Sequence, residues 1–233
     1  MENKENNAEA KFMKTAAFVP IKLNNERLAN KNTKPFSNGI PLIRYILSTL
    51  VKTEGLDGVY VWCSNEAIVP YLPDGVQFLK RPEYLDLSET PFNEVLISFA
   101  KQTEADIYVL AHATAPFVKP ESIEKCVNAI KSGKHDCALA ARKMQEFLWD
   151  GEKPINYDPK NIPRTQDLPE LYLETCCLYA YTRDLILNGR TRIGVRPRLV
   201  EISKVEAMDI NDGHDFIIAD TIATALNLIP GEI

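Results

Sequence analysis

The stretch AAFVP at residues 16–20, followed by KLNNERLANKNTK at residues 22–34, indicates how this chain folds. The first part is a short apolar run, which is typical of a strand buried on both faces of a parallel sheet. The second part carries four cations and one acid. Ligands of open α/β sheets collect where strands end, so this loop predicts a local anion site, for which a triphosphate is suitable. On charge alone, an ordinary solvated loop is the alternative.

Further apolar runs at residues 59–63, 107–111 and 137–140 predict three more buried strands. Amphipathic segments lie between them and predict helices around residues 92–100 and 120–130, with a last helix over 215–227. The apolar positions of these helices are expected to face the core; they are Phe92, Val95, Leu96, Phe99, Ala100, Ile123, Cys126, Val127, Ile130, Phe216, Ala219, Ile222, Ala223 and Leu226. This alternation predicts an α/β fold whose central sheet is mostly parallel and flanked by helices.

The pattern changes between residues 145 and 170, where FLWDGEKPINY at 147–157 contains an Asp-Gly turn signal. A small hairpin followed by a loop is expected to project there as an arm. The polar segment 1–14 is expected to be a frayed tail, and residues 15–233 are expected to form one domain.

Composition excludes several classes of function. A net charge of -5 and a pI near 5.4 argue against a general nucleic-acid or anionic-membrane binder. No stretch is apolar enough to span a bilayer, and the first residues are unlike a signal peptide, so a cytoplasmic protein is expected. The five cysteines contain no C-x-x-C pair, which predicts reduced thiols, and adjacent Cys176 and Cys177 are interpreted as small packing residues.

Short motifs in a fixed order carry a resemblance to a known family. They are FVPIK at 18–22, Arg27-Leu28, Lys31-Asn32, Lys34-Pro35, Ser64-Asn65-Glu66, Arg81-Pro82-Glu83, Thr114-Ala115-Pro116, RTQDLP at 164–169, Leu178-Tyr179 and Met208-Asp209-Ile210. Together they resemble the acylneuraminate cytidylyltransferases, the CMP-sialic-acid synthetases and their relatives. The resemblance implies a Rossmann-like nucleotidyltransferase fold and transfer of CMP from CTP to a hydroxyl of an acidic sugar, with release of pyrophosphate.

The resemblance also implies roles for individual residues. Lys22 and Lys31 would hold the triphosphate and, with Asp209, act in catalysis. Asn32 and Arg81 would lie at the cytidine, and Asn24, Arg27 and Ser64 complete the expected nucleotide site. Asp209, with Asn211, is expected to ligate Mg²⁺, which needs only one or two carboxylates when phosphates complete its shell. His112, Arg164, Gln166 and Tyr179 are expected to bind the acceptor, and the arm resembles the one through which family members form homodimers.

Some positions depart from the family pattern. Asn211 stands where a second magnesium aspartate is usual, and Thr175-Cys176-Cys177 replaces the usual Asn-Gly-Ala. Two alternatives therefore stay open: a different small acceptor, such as a phosphorylated or phosphonate compound, and an inactive nucleotide-binding regulatory subunit. The segment from Asp209 to Gly213 would otherwise be only a polar turn that caps the last helix. The arginines 190, 192, 196 and 198 are interpreted as a solvated cluster, with binding of an anion or of a neighbouring subunit's carboxylates as the alternative.

The same loop argues against a dinucleotide oxidoreductase, because the first strand is not followed by the closely spaced glycines that let backbone approach a pyrophosphate.

Overall fold

A computed structural model describes residues 12–24 and 27–233 of the chain. The strands are β1 Thr15–Ile21, β2 Gly58–Cys63, β3 Val76–Lys80, β4 Ile107–Ala111, β5 Cys137–Met144, β6 Leu171–Thr182 and β7 Pro197–Glu201. The α-helices are α1 Leu42–Lys52, α2 Phe92–Gln102, α3 Pro120–Lys131, α4 Arg183–Leu187 and α5 Gly213–Ala225. The four predicted strands correspond to β1, β2, β4 and β5.

The seven strands form one sheet in the order β3-β2-β1-β4-β6-β5-β7. All neighbouring pairs are parallel except the two made by β6, which runs against both β4 and β5. β1 lies between β2 and β4, so its carboxyl end is near the middle of one sheet edge. The predicted α/β fold with a mostly parallel sheet is confirmed.

Helices cover both faces of this sheet. Apolar side chains of α1 and α3 pack on one face, and those of α2 and α4 pack on the other, so the strands are buried on both sides. A third apolar cluster joins α5 to α1 around Phe36, Tyr45, Phe117 and Phe216. This cluster fixes the amino end of α5 beside the loop that follows β1.

The expected helix faces hold with two exceptions, and α5 runs over Gly213–Ala225, two residues earlier than the predicted 215–227. α3 begins at Pro120, as predicted, and its four expected core positions are buried. Leu226 follows the last turn of α5 and is 56% exposed, so its assignment to the core is wrong. Phe92 is the first residue of α2 and is 38% exposed, because the helix has barely begun to pack on the sheet at that point.

The arm between β5 and β6 is less regular than predicted. The turn at Asp150 exists, since its backbone N–H donates to the Lys153 carbonyl at 3.1 Å, but only one isolated bridge, Trp149 to Pro154, joins the two sides. Residues 1–11 of the predicted tail lie outside the described residues. Of the rest, Met13 packs against the core and the Lys14 backbone N–H donates to Asp106 at 2.8 Å.

Candidate functional site

The predicted nucleotide residues gather at the carboxyl edge of the sheet. β1, β2 and β4 are parallel and end there, and β7 also ends there because it runs parallel to β5. The antiparallel strand β6 brings its first half to the same edge, where the His112 backbone N–H donates to the Cys177 carbonyl at 3.3 Å. Loops from five strands therefore surround one region, the place where open α/β sheets bind ligands.

The basic loop after β1 is fastened to the loop after β7. Lys31 is only 8% exposed, and its Nζ donates to the Ile210 carbonyl at 2.7 Å. Arg27 Nη2 donates to Asn211 Oδ1 at 2.9 Å. Asn32, which is 5% exposed, closes the loop on itself by donating from Nδ2 to the Lys22 carbonyl at 3.2 Å. Two predicted groups far apart in sequence are thus in direct contact.

The electrostatics of this contact favour a bound anion. Burial lowers the pKa of the Lys31 ammonium, while the negative charge of Asp209 raises it in partial opposition. Arg27 also lowers this pKa, because two cations share the same small volume. An anion placed between them would be attracted by both charges. Asn24 is exposed at the start of the loop, and Asn25 and Glu26 lie outside the described residues.

Asp209 and the start of α5 have separate functions in the fold. Asp212 is the N-cap of α5 and accepts from the backbone N–H groups of His214 and Asp215, and its own backbone N–H donates to the Asp215 carboxylate, which completes a capping box. The capping role predicted as an alternative is therefore correct, but it belongs to Asp212. Asp209 is half-buried before the cap, and its Oδ2 accepts from Asn211 Nδ2 at 2.9 Å.

The residues around Asp209 suit a magnesium ion bound together with a triphosphate. Within residues 12–24 and 27–233, no group of three or more His, Cys, Asp or Glu side chains is placed to hold a metal alone. Asp209 Oδ1 accepts no hydrogen bond from a described residue, so one hard oxygen is available. The Asn211 oxygen accepts one hydrogen bond, from Arg27, and an amide oxygen has a second lone pair for a metal ion.

Arg81 provides a second, buried cation beside β1. The side chain is 4% exposed, and Nη2 donates to the Ile21 carbonyl at 2.9 Å and pairs with Asp86. Asp86 in turn accepts from the Ser64 hydroxyl. Arg81 Nε is buried and has no hydrogen-bond partner among the described residues. An unpaired buried donor is costly, which makes this a natural contact for an acceptor atom of a ligand.

His112 lies just beyond β4 and faces an aromatic and charged cluster. Its ring stacks on Phe92 with centroids 5.8 Å apart. Burial and, to a smaller extent, the nearby Arg192 cation lower the pKa of His112 to about 4, against the opposing effect of Asp209. The imidazole is therefore neutral at pH 7 and is able both to donate and to accept a hydrogen bond.

Arg192 is a functional candidate that the sequence analysis assigned to a solvated cluster, with anion binding as the alternative. Its guanidinium carbon lies 3.8 Å from the Tyr179 ring centroid and 5.5 Å from that of Phe92. Only 21% of the side chain is exposed, so the prediction of a solvated arginine is wrong at this position. The prediction fails because the aromatic partners come from α2 and β6, whose proximity no local pattern reveals. Phe92 is likewise part of this cluster rather than of the core.

Two predicted acceptor residues are not part of this cluster. Arg164 is 73% exposed on the arm and pairs with Asp167, its Nε donating to Oδ2 at 2.7 Å. Gln166 is exposed in the same short 3-10 helix, Thr165–Asp167. The structure therefore brings together His112 and Tyr179 but leaves the arm residues apart from them.

Cys176 occupies a bulge of β6 within this region. The pairing with β5 shifts between Leu139 and Ala141, and Cys176 adopts a φ of 58°, a left-handed conformation that is unfavourable for residues with a Cβ atom. Cys176 is exposed, so its interpretation as a packing residue is wrong, whereas Cys177 is buried as expected. The bulge places Glu174 and Tyr179 close enough for the tyrosine hydroxyl to donate to the carboxylate.

A Cys176→Gly variant should be more stable than a Cys176→Ala variant. Glycine adopts the left-handed region without steric cost, whereas alanine keeps the Cβ atom, and part of this gain is offset by the greater freedom of glycine in the unfolded chain. We expect a net difference of up to about 1 kcal/mol in the free energy of unfolding. Urea denaturation of the two variants measures it, and equal or reversed stabilities would contradict the strain at this residue.

In the part of the chain that the structure describes, no helix is long and apolar enough to cross a membrane. The fold is that of the nucleotidyltransferases. It matches a CMP:2-keto-3-deoxy-manno-octonic acid synthetase solved in complex with CTP, with a TM-score of 0.68, 15% identity and coverage of 92% of this chain and 100% of that one. A 4-diphosphocytidyl-2C-methyl-D-erythritol synthase from Anaerococcus prevotii matches with a TM-score of 0.65, 12% identity and coverage of 94% and 99%.

Sequence comparison assigns the family. The chain belongs to the cytidylyltransferase family, whose profile matches residues 16–203. It is 25% identical to the N-acylneuraminate cytidylyltransferase of Oncorhynchus mykiss and 23% identical to N-acylneuraminate cytidylyltransferase B of Danio rerio, in each case over 88% of this chain. The chain spans about half the length of these curated relatives, 49% and 50% respectively. The resemblance predicted from the short motifs is confirmed at the level of the family.

Proposed function

We propose that this chain is a cytoplasmic enzyme that transfers CMP from CTP to a hydroxyl group of an acidic sugar and releases pyrophosphate. The observation that carries the proposal is the contact between the basic loop and the Asp209 loop, made by Lys31 with the Ile210 carbonyl and by Arg27 with Asn211. It places cations and a carboxylate at the ligand-binding edge of a fold shared with a synthetase that was solved with CTP.

In this reaction the acceptor oxygen forms a bond to the α-phosphorus of CTP, and the bond from that phosphorus to the pyrophosphate oxygen breaks. Negative charge develops on the non-bridging and leaving oxygens, so catalysis depends on positioned cations. Lys22 and Lys31 would hold the triphosphate, with Arg27 beside them. Because Lys31 is buried and held by a backbone carbonyl, it needs little reorganisation to meet the transition state.

The cytidine would lie over the carboxyl ends of β1 and β2. Arg81 Nε is a buried donor directed by the hydrogen bond of the same guanidinium to the Ile21 carbonyl, and it suits a base or ribose oxygen. Asn32 and Ser64 flank this position, and Asn24 lies at the rim of the loop. Arg81 is itself held by Asp86, so the site is organised before the nucleotide binds.

Asp209 would hold a Mg²⁺ ion, with Asn211 as a second oxygen donor. Bound there with the triphosphate, Mg²⁺ would neutralise charge on the phosphate oxygens. This chain's own contribution is the fixed position of Asp209, which the Asn211 amide and the bond from the Ile210 backbone N–H to the Thr114 carbonyl maintain.

The acceptor would bind on the side of His112 and Tyr179. A neutral His112 is suited to orient the attacking hydroxyl by accepting its hydrogen bond. Arg164 and Gln166 lie on the arm, which exposes the apolar side chains Trp149, Ile155 and Ile162 at 57%, 57% and 65%. We propose that these apolar residues form part of a homodimer interface, through which an arm would approach the site of a second copy.

Pyrophosphate release tests the proposal. The protein is incubated with CTP and Mg²⁺ and with 3-deoxy-manno-octulosonate, N-acetylneuraminate or hydroxyalkyl phosphonates, while UTP, GTP and ATP replace CTP in parallel. Release that requires CTP and a keto-acid sugar supports the proposal, and release with phosphonates alone assigns the alternative acceptor. CTP that stabilises the fold in a thermal-shift assay without turnover of any acceptor would identify a regulatory subunit.

A further inference from the structure

The cluster around Arg192 contains a guanidinium that its protein partners do not satisfy. An arginine has five N–H donors, and here Nη2 donates to the Tyr179 hydroxyl at 3.1 Å. Its Nε and Nη1 atoms donate to no residue in the described parts of the chain. The side chain is 21% exposed, and neither atom is among the buried side-chain atoms that lack a partner, so both donors are accessible to a ligand with strong acceptors.

The ion pair that balances Arg192 is loose. Glu174 Oε1 lies 3.6 Å from Arg192 Nη2, outside hydrogen-bonding distance, because the same oxygen accepts from the Tyr179 hydroxyl. Glu174 is 41% exposed, so it can move into solvent at small cost. An incoming anion could therefore take a closer position on the guanidinium than Glu174 has.

Aromatic packing fixes where this guanidinium points. The Tyr179 and Phe92 rings lie 3.8 Å and 5.5 Å from its guanidinium carbon, and both contacts favour a cation. Phe92 also stacks on His112, whose backbone is bonded to Cys177. The Arg192 side chain is thus held at the acceptor side of the sheet edge and not on the nucleotide loop.

We infer that Arg192 is a specificity-determining residue that binds an anionic group of the acceptor, with Glu174 as the internal carboxylate that this group displaces. The inference rests on the proposed function, since it assigns the acceptor side of the same site. A carboxylate and a phosphonate share the required chemistry: planar or tetrahedral oxygens that accept two or more charge-assisted hydrogen bonds. Neutral sugars are rejected because they offer the guanidinium no charged acceptor and so cannot displace Glu174.

Calorimetric binding to the chain saturated with α,β-methylene-CTP tests this inference without turnover. The probes are 3-deoxy-manno-octulosonate, its methyl ester and 2-hydroxyethylphosphonate. The wild-type chain should bind the acid at least about tenfold more tightly than the ester. Arg192→Met should abolish that preference, whereas Glu174→Gln should tighten binding of the acid about two- to fivefold by removing the competing charge. Arg198→Met, a change to an exposed cation on β7, is the matched control and should leave the preference unchanged.

The opposite signs expected for the two variants separate this role from simple structural support. Arg192 does not select the acceptor if Arg192→Met still binds the acid more tightly than the ester. The same conclusion follows if Glu174→Gln weakens binding of the acid as strongly as Arg192→Met does. Failure of both anions to bind the analogue-saturated chain overturns the inference as well. Tighter binding of the phosphonate than of the sugar acid identifies which anion the site prefers. Loss of binding of the CTP analogue itself would instead contradict the proposed function.

Discussion

Replacement of Asp209 by Asn is expected to lower kcat/KM for CTP about 1,000-fold while the protein remains folded. The change is nearly isosteric, and the side-chain contact with Asn211 can persist with the amide oxygen as acceptor. It removes the negative charge that would face the metal and the Lys31 ammonium, so the loss should appear chiefly in kcat. Steady-state pyrophosphate release over a range of CTP concentrations measures kcat and kcat/KM separately.

Asp74→Asn serves as the charge-matched control, because Asp74 is exposed in the loop before β3, far from this edge. That variant should retain wild-type rates. Turnover of Asp209→Asn within about threefold of the wild type, at any Mg²⁺ concentration, would remove Asp209 from the chemistry. A parallel melting curve distinguishes a catalytic loss from unfolding.

His112 is expected to make the fold sensitive to mild acid. Its folded pKa of about 4 lies below the ordinary value of 6.5, so the unfolded chain takes up a proton first as the pH falls. The contribution of neutral His112 to the free energy of unfolding is complete above pH 6.5 and is lost as the pH falls towards 4. This contribution amounts to up to about 3 kcal/mol. The cause is chiefly burial, with a contribution from the Arg192 cation.

Urea denaturation of the wild type and of His112→Gln at pH 7 and pH 5 measures this term. When the pH falls from 7 to 5, the free energy of unfolding of the wild type should decrease by about 2 kcal/mol more than that of the variant. The reason is that glutamine does not titrate, while other groups contribute equally to both proteins. Parallel pH dependences in the two proteins would show that His112 keeps an ordinary environment. A second check is the C2 proton resonance of His112, whose titration midpoint should lie near pH 4.

The elements that the sequence predicted share one property, burial on both faces. β4 is apolar at all five positions and buried at all five, so its pattern alone defined it. β3 and β7 are edge strands that mix apolar with exposed polar residues, so neither shows a continuous apolar run. β6 begins with four exposed residues, and its apolar run starts only at Cys176, halfway along the strand. The helix α1 was not singled out although it is strongly amphipathic.

The nucleotide side of the site was more predictable than the acceptor side. Lys31 and Asp209 lie in short motifs that follow strands, and parallel strands bring such loops to one edge. Arg192 lies outside any motif in the loop between α4 and β7, and its position depends on the antiparallel direction of β6. Strand direction is a long-range property, because it is set by which neighbours pair, and local spacing carries no signal for it.

The insertion point of the arm has a consequence for divergence among relatives. Met144 and Leu171, the residues that flank it, are paired neighbours on β5 and β6, so the two attachment points are held together whatever lies between them. Residues 145–170 can therefore lengthen, shorten or be transplanted from a relative without shifting any strand, as loops between fixed ends generally can. The strands that carry the loops at the carboxyl edge and the arm can therefore accumulate changes independently, and chains with exchanged arms would test the proposed part of Arg164 and Gln166 in the choice of acceptor.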